Sequence, residues 1–295
     1  MTRPRLMHVL QRLALASTFV VTAPCTNVYD LCPPLEVRRP FFSRGDCTVS
    51  RAEIFAGHEW ITLFANDALP EASRFPEGEA DIILDGNRRV DWPRELLIQL
   101  NVGLHAYVAE ILDYTNDPDL QADHFLLSSR DSYEEAAASA HARLRGLTRE
   151  AVDGWATDRR RALTLVGAGL HLIQDSHSEA HSVRDRAAGC VIRIKAYIAR
   201  DEGFLTDDIE FHGREDAKIG HTTADDSIFN GTIECRRPEG AEAVRACLRE
   251  SAEDAVTAST DYLVLVIGLA EAGPWDAAAD AAVDAYIADH LALCD

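Results

Sequence analysis

Basic residues are scarce in this sequence. Its 295 residues include 49 Asp plus Glu against 29 Lys plus Arg, which gives a formal net charge of −20. Proteins bind nucleic-acid backbones mainly through Lys and Arg, so this deficit excludes a simple basic nucleic-acid binder. An enzyme that meets phosphate through metal ions is not excluded.

The sequence also lacks an uninterrupted run of about 18 apolar residues, which is roughly the length that a transmembrane helix needs. We therefore predict no transmembrane helix. The hydrophobic share of 47% is normal for a globular protein and argues against wholesale disorder. A chain of this length can bury a sizeable core.

Closely spaced cysteine pairs are absent, because none of the seven Cys lies in a Cys-x-x-Cys motif. A thiolate zinc site is therefore not expected. Cys235 and Cys247 flank a short stretch that contains Pro238 and Gly240. A local disulfide between them is one interpretation, and isolated buried thiols are the other. Export to an oxidising compartment would suit the pairing.

Acidic residues are missing from residues 1–24, which carry three Arg followed by an apolar run. This order is typical of a signal peptide, so we expect a secreted or periplasmic protein. A packed or disordered N-terminal segment is the alternative. Lipid anchoring through Cys25 is less favoured, because Pro24 is a poor residue immediately before a lipidated Cys.

The remaining chain has helical rather than strand-like patterning. Residues 25–47 are rich in Pro, Arg and Cys and are expected to be irregular. Alternating strand patterns are absent, so we predict an all-α fold with a single multi-helical domain over residues 48–295. Helices are predicted at 93–114, 132–147, 159–174, 241–271 and 275–293, with long connections at 68–92 and 115–130.

One run of His and Asp residues stands out. His171 and Asp175 are four residues apart, so they lie on one face of a predicted helix, and His181 follows six residues later. Two imidazoles and a carboxylate are ligand types that zinc takes. The alternative is that His171 is a satisfied core histidine, while His177 and His181 are exposed. His177 could also contact a substrate phosphate.

Other His and Asp residues could join this run. His221 and Asp225 repeat the four-residue spacing, with a solvated polar turn as the alternative. Asp113 precedes His124, and His58 lies near a predicted helix start. Metal binding needs neutral imidazoles and ionised carboxylates, so we expect any activity of such a site to fail in acid.

In their order along the chain, these features resemble the zinc-dependent phospholipase C and single-strand nuclease superfamily. The hallmark His-x3-Asp-x5-His of that family is matched by His171, Asp175 and His181. The other matches are His58 in a His-x-x-Ile context, Asp113 before His124, and the later His-x3-Asp at His221 and Asp225. The Asp form of that last motif resembles the nuclease branch. The matches span residues 57–225.

The resemblance implies an all-α domain of the zinc phospholipase C and nuclease type, with two or three zinc ions in a cleft. Carried over to this sequence, the first zinc would be held by Asp113, His124, His171 and Asp175. The second would be held by His181, His221 and Asp225. The third would be held by His58, with Asp175 as the bridging ligand.

The function that the resemblance implies is a secreted phosphodiesterase, most similar to phospholipase C, that hydrolyses phospholipids with metal-activated water. Asp113 could orient that water as a general base. The expected partners are phospholipid or other phosphodiester substrates, with peripheral contact to a membrane surface. A single-strand nuclease is one alternative, although the acidic chain repels long nucleic acids. A non-catalytic secreted helical protein with a structural or degenerate metal site is the other.

Overall fold

The computed structural model describes residues 57–91, 118–127, 131–179, 181–195 and 241–294. Within these ranges the chain is mostly helical, as the predicted all-α class requires, and it adds one small antiparallel sheet that was not predicted. The predicted signal peptide at 1–24, the irregular segment at 25–47 and the predicted helix at 93–114 lie outside the described residues.

The elements are numbered here in chain order within the described residues. They are α1 (Gly57–Ala68), a 3-10 turn (Glu71–Ser73), α2 (Glu77–Asp91), α3 (Pro118–Asp123), α4 (Tyr133–Gly154), α5 (Arg159–Asp175), β1 (Ser182–Asp185), β2 (Cys190–Ile194), α6 (Ala241–Ala246), α7 (Glu250–Ala272) and α8 (Ala277–His290). Helices α5 and α8 closely match the helices predicted at 159–174 and 275–293. The helix predicted at 241–271 is instead interrupted between α6 and α7.

The long connection predicted at 68–92 is wrong, because helix α2 occupies most of it. Pro76 stands just before the helix, where its carbonyl accepts hydrogen bonds from Glu79 and Ala80 and its missing N–H costs nothing. Gly86 lies inside the helix rather than ending it. The polar loop predicted at 115–130 is likewise wrong in part, because it contains the short helix α3.

Helix α5 is the central helix of the described fold. It packs against α1, α2, α3, α4 and α7. Its N-cap is Asp158, whose side chain accepts a hydrogen bond from the backbone N–H of Arg161. Fully buried apolar residues follow at helical spacing, among them Leu163, Val166 and Leu170. This burial carries the last turn of α5 into the middle of the surrounding helices.

Helices α2 and α5 cross at two glycines, Gly86 and Gly167. A Cβ atom at Gly86 would overlap the carbonyl oxygen of Thr164, and one at Gly167 would overlap the carbonyl oxygen of Ile83. The two backbones are therefore in direct contact. This close approach brings Asn87 of α2 within reach of the last turns of α5.

The sheet is a hairpin that a distant part of the chain completes. Strands β1 and β2 pair antiparallel with an irregularity between Val183 and Arg184. Val191 of β2 also forms a parallel bridge with Leu293, beyond α8. A disulfide between Cys190 and Cys294 crosslinks the same two segments. This disulfide was not predicted.

Cys247 is disulfide-bonded as well, and its partner lies outside the described residues. Cys235 also lies outside them, so the Cys235–Cys247 pairing stays a prediction. The alternative of an isolated buried thiol is wrong for Cys247, and also for Cys190 and Cys294, because all three are disulfide-bonded.

By length and composition, α7 is the one helix among the described residues that could cross a membrane. It packs against α1 and α5, and its residues Ala255, Tyr262 and Val266 are buried in the core. A buried core helix meets the same criterion. The absence of a transmembrane helix stays a prediction.

Candidate metal centre

Four histidines from four separate segments surround the carboxylate of Asp175. They are His58 at the start of α1, His124 directly after α3, His171 on α5, and His181 in the turn between α5 and β1. All five side chains are buried, and the most exposed residue, His124, retains only 7% of its surface.

Each oxygen of the Asp175 carboxylate faces two imidazoles. The Oδ1 atom lies 3.1 Å from Nε2 of His58 and 3.7 Å from Nε2 of His181. The Oδ2 atom lies 3.0 Å from Nε2 of His171 and 3.1 Å from Nδ1 of His124. Both oxygens of Asp175 are therefore placed as possible ligand atoms.

Helix geometry places His171 and Asp175 together, as the sequence predicts. Both lie in the last turn of α5, where the helix dipole favours a cation. The turn that follows is fixed by hydrogen bonds from the backbone N–H of His181 to the carbonyl of Ser178 and from Oγ of Ser182 to the carbonyl of Ser176. His181 is consequently buried, so its alternative interpretation as an exposed residue is wrong.

The segment after α3 places His124. Its neighbour Phe125 is fully buried and has a φ of 49°, a left-handed conformation that is rare for a bulky residue. The carbonyl oxygen of His124 accepts a hydrogen bond of 2.7 Å from Nδ1 of His181. The strained backbone at Phe125 thus holds a turn that also orients a second histidine of the site.

Two buried amides determine the tautomers of His58 and His171. Asn87 donates from Nδ2 to Oε1 of Gln174 at 3.1 Å, so its Oδ1 atom accepts from Nδ1 of His171 at 3.1 Å. Gln174 donates from Nε2 to Thr62, so its Oε1 atom also accepts from Nδ1 of His58 at 2.8 Å. Both imidazoles therefore carry a proton on Nδ1 and face Asp175 through Nε2.

The arrangement at Nε2 fits a metal ion. The Nε2 atoms of neutral His58 and His171 would be acceptors beside the acceptor oxygens of Asp175, so the buried carboxylate needs either protonated imidazoles or a metal cation beside it. Nε2 of His171 also lies 3.1 Å from Nδ1 of His124. Two ligand atoms that are each about 2.0–2.2 Å from one metal lie about 3.3–3.6 Å apart at the tetrahedral angle and about 2.8–3.1 Å apart at 90°. The separations of 3.0 and 3.1 Å are slightly shorter than the tetrahedral spacing, so a small outward shift of the side chains would accommodate a tetrahedral ion.

The carboxyl group of Asp175 is ionised in this setting. Burial is the largest influence on its pKa and acts to raise it. The imidazoles of His171, His181 and His58, together with the hydrogen bond to His124, outweigh burial and hold the pKa well below its usual range. The group formed by His58, His171 and Asp175 could therefore hold a metal ion.

Five of the eight predicted ligands converge in the described structure: His58, His124, His171, Asp175 and His181. Asp113, which was also the predicted general base, lies outside the described residues, as do His221 and Asp225. Sequence reasoning missed Asn87 and Gln174, since amides have no recognisable ligand spacing. The one sequence feature that could have indicated a role for Gln174 is its position directly before Asp175.

Comparison with known proteins adds no family assignment. No family model, curated protein or solved structure matches this chain. The function is therefore argued from the ordered His and Asp residues and from the geometry of the metal centre.

Proposed function

We propose that the chain is a zinc-dependent phosphodiester hydrolase with phospholipase C-like activity. The observation that carries the proposal is the Asp175 carboxylate, with a pair of imidazoles at each oxygen. A carboxylate so placed can bridge two cations, and closely spaced divalent ions are a common arrangement for phosphodiester hydrolysis. A centre rich in imidazole with a single carboxylate is suited to zinc rather than to magnesium or calcium.

The described residues have distinct roles in this proposal. Asn87 and Gln174 keep His171 and His58 in the tautomers that leave Nε2 available. Burial excludes bulk water from the same side chains, and the neighbouring histidines keep Asp175 ionised and therefore acceptor-only. When bound, zinc acts as a Lewis acid on phosphodiester oxygens and brings the pKa of nearby water to about 7.

The remaining ligands of the proposal follow the family pattern. His221 and Asp225 would complete the set with His181, giving two or three zinc ions in total. Asp113 would contribute a ligand oxygen and orient the attacking water as a general base. These assignments come from the resemblance and not from observed geometry.

Phospholipid is the substrate that we favour, with peripheral contact of the enzyme at a membrane surface. The formal charge of −20 repels long polyanions, which disfavours single-stranded nucleic acid. A phospholipid presents one phosphodiester at a time, so the acidic surface opposes its approach less than that of a long polyanion.

We also propose that the protein is secreted or periplasmic. The basic and apolar N-terminal residues and the Cys190–Cys294 disulfide both support export. Lipid anchoring at Cys25 is less favoured because Pro24 precedes it. Mass spectrometry of the protein isolated from its source should show the loss of a signal peptide without an added lipid.

The first test measures the metal content and the activity of the purified chain. We expect two or three zinc ions per chain by elemental analysis and hydrolysis of a phosphatidylcholine emulsion that a chelator abolishes. Cleavage of single-stranded DNA under the same conditions would assign the nuclease function instead. Zinc binding without cleavage of either substrate would leave a structural metal site, and the absence of zinc would overturn the proposal.

The second test compares Asp175→Asn with Asp153→Asn, an exposed residue of α4. The first variant should lose zinc and reduce turnover at least about 100-fold, since the lost carboxylate would be the bridging ligand in this proposal. The control should retain both properties. Chelator-sensitive turnover that persists in a folded Asp175→Asn protein would contradict the role of the centre in catalysis.

A further inference from the structure

A second polar site lies between β1 and the first turn of α7. It is a cavity of about 290 Å³, lined on one side by His177 and Arg184 and on the other by Ser251 and Asp254. Among the described residues, none of the five that converge at the metal centre lines this cavity. The cavity is thus a separate feature, with its own set of polar groups.

His177 is a buried imidazole whose hydrogen-bonding groups are unused. Only 6% of its surface is exposed, and within the described part of the chain neither Nδ1 nor Nε2 has a hydrogen-bond partner. Leaving a buried polar group without a partner is unfavourable, so such a group is normally satisfied by a ligand or by ordered water. The two ring nitrogens of His177 are therefore available as hydrogen-bonding groups for a ligand.

Ser251 supplies a second unused group to the same cavity. Its Oγ atom is buried and makes no hydrogen bond in the residues that the structure describes. It lies in the first turn of α7, a helix of 23 residues whose N-cap, Arg249, makes no side-chain capping bond. The N-terminus of a long helix favours negative charge. Two independent donors therefore meet at a place that attracts an anion.

Arg184 adds a positive charge without a neutralising partner in contact. Its guanidinium donates to the backbone carbonyls of Ser176, Gly189 and His290. No carboxylate of the described residues forms an ion pair with it. Burial lowers its pKa to about 10, against the opposing influence of Asp254, so it stays charged at neutral pH.

The acidic residues at the cavity are paired with cations. Asp254 is 2.7 Å from the guanidinium of Arg186, and Glu179 is 3.1 Å from that of Arg249. Their charges are largely compensated, whereas that of Arg184 is not. In a chain with a large negative charge, this cavity therefore favours an anion.

We propose that this cavity binds a phosphate group, either as free phosphate or as part of a small phosphate monoester, through His177, Ser251 and Arg184. The imidazole of His177 and the hydroxyl of Ser251 can donate hydrogen bonds, and the guanidinium of Arg184 adds a positive charge. This combination suits the acceptor oxygens of phosphate. The volume is close to the lower end of the range of about 300–1,000 Å³ for small-molecule sites. The proposal does not rest on the proposed hydrolase function.

The test is calorimetric titration of the full chain with inorganic phosphate and with glycerol 3-phosphate, at constant ionic strength, with and without a chelator. We expect saturable binding of one ligand per chain that the chelator does not change, and the tighter of the two ligands identifies the source of the phosphate. No saturable binding would mean that water alone satisfies His177, and the proposal would fail. Binding that the chelator abolishes would assign phosphate to the metal centre and would also overturn it.

Variants locate the binding site. His177→Phe keeps the ring and removes both nitrogens, and Ser251→Ala removes one hydroxyl, so each should weaken binding at least about tenfold. Thr257→Ala, which removes an exposed hydroxyl from the same helix, is the control and should bind normally. Unchanged affinity in Ser251→Ala contradicts the site even if His177→Phe does not fold. Asp175→Asn should retain phosphate binding, which separates this proposal from the hydrolase proposal.

Discussion

A hydrogen bond of 2.8 Å joins Nδ1 of His58 to Oε1 of Gln174, 116 residues further along the chain. The same Oε1 atom accepts from Asn87, and the amide nitrogen of Gln174 donates to Thr62. One side chain of α5 thus links α1 and α2 and determines which nitrogen of His58 faces Asp175. The metal centre depends on this buried amide as well as on its ligands.

Replacing Gln174 with Leu should weaken zinc binding about 10- to 100-fold, because Nδ1 of His58 loses its acceptor and the ring loses its orientation. Competition with a chromogenic chelator measures the change. Gln174→Glu, which keeps an acceptor at the same position, should bind zinc more tightly than the Leu variant. Wild-type affinity in Gln174→Leu would show that the amide does not orient His58.

Replacing Gly167 with Ala should lower the free energy of unfolding by about 1–3 kcal/mol, since the added methyl group overlaps the backbone of α2. Gly146→Ala is the matched control, because a Cβ atom there meets open space on α4. That control should gain up to about 1 kcal/mol from higher helix propensity. Urea unfolding gives both values, and equal effects in the two variants would contradict a direct backbone contact.

Removal of the Cys190–Cys294 disulfide by a double change to Ala should destabilise the protein by about 2–5 kcal/mol. The bond joins residues that are 104 positions apart, and closing so long a loop strongly restricts the unfolded chain. Thermal unfolding without reductant measures the effect, and the Cys247 disulfide remains in both proteins. An unchanged midpoint would mean that the crosslink does not constrain the unfolded state.

Alkaline pH should destabilise the fold through Tyr262. Burial, the largest cause, raises its pKa to about 12, against the opposing effect of its hydrogen bond with Thr148. The same group ionises near 10.0 when unfolded. The contribution of protonated Tyr262 to the free energy of unfolding is therefore complete below pH 10, and it is lost as the pH rises towards 12. Between pH 9 and pH 11 the loss should be about 1.4 kcal/mol.

Comparison of wild type with Tyr262→Phe at these two pH values isolates that loss. The Phe variant should show a smaller decrease in the free energy of unfolding, although burial also raises the pKa of Tyr286 well above its ordinary value. An equal decrease in both proteins would contradict the role of Tyr262.

The parts of the site that the sequence predicts are those set by local geometry. A spacing of four residues on a helix fixes His171 beside Asp175 whatever the rest of the fold does. Helix α5 was predicted for the same reason, because its apolar residues recur at helical spacing. His58 and His124 were only weak candidates in their local sequence, and the resemblance to a family pattern gave them roles as ligands.

The features that could not be predicted depend on contacts between distant segments. Gly86 looks like a helix breaker, and its role at the crossing with Gly167 is visible only when α2 meets α5. The position of Asn87 beside His171 follows from that crossing. Strand β2 is equally hidden, since its five residues are stabilised by β1 and by Leu293.

The bridge between Val191 and Leu293 also has a consequence for the order of folding. A ribosome adds about 5–20 residues per second, so the partner of β2 follows it about 5–20 s later. A nascent chain that already contains every described histidine of the metal centre still lacks Leu293. The β1–β2 hairpin therefore has no partner yet for Val191. The fold is therefore completed only after Leu293 has been made.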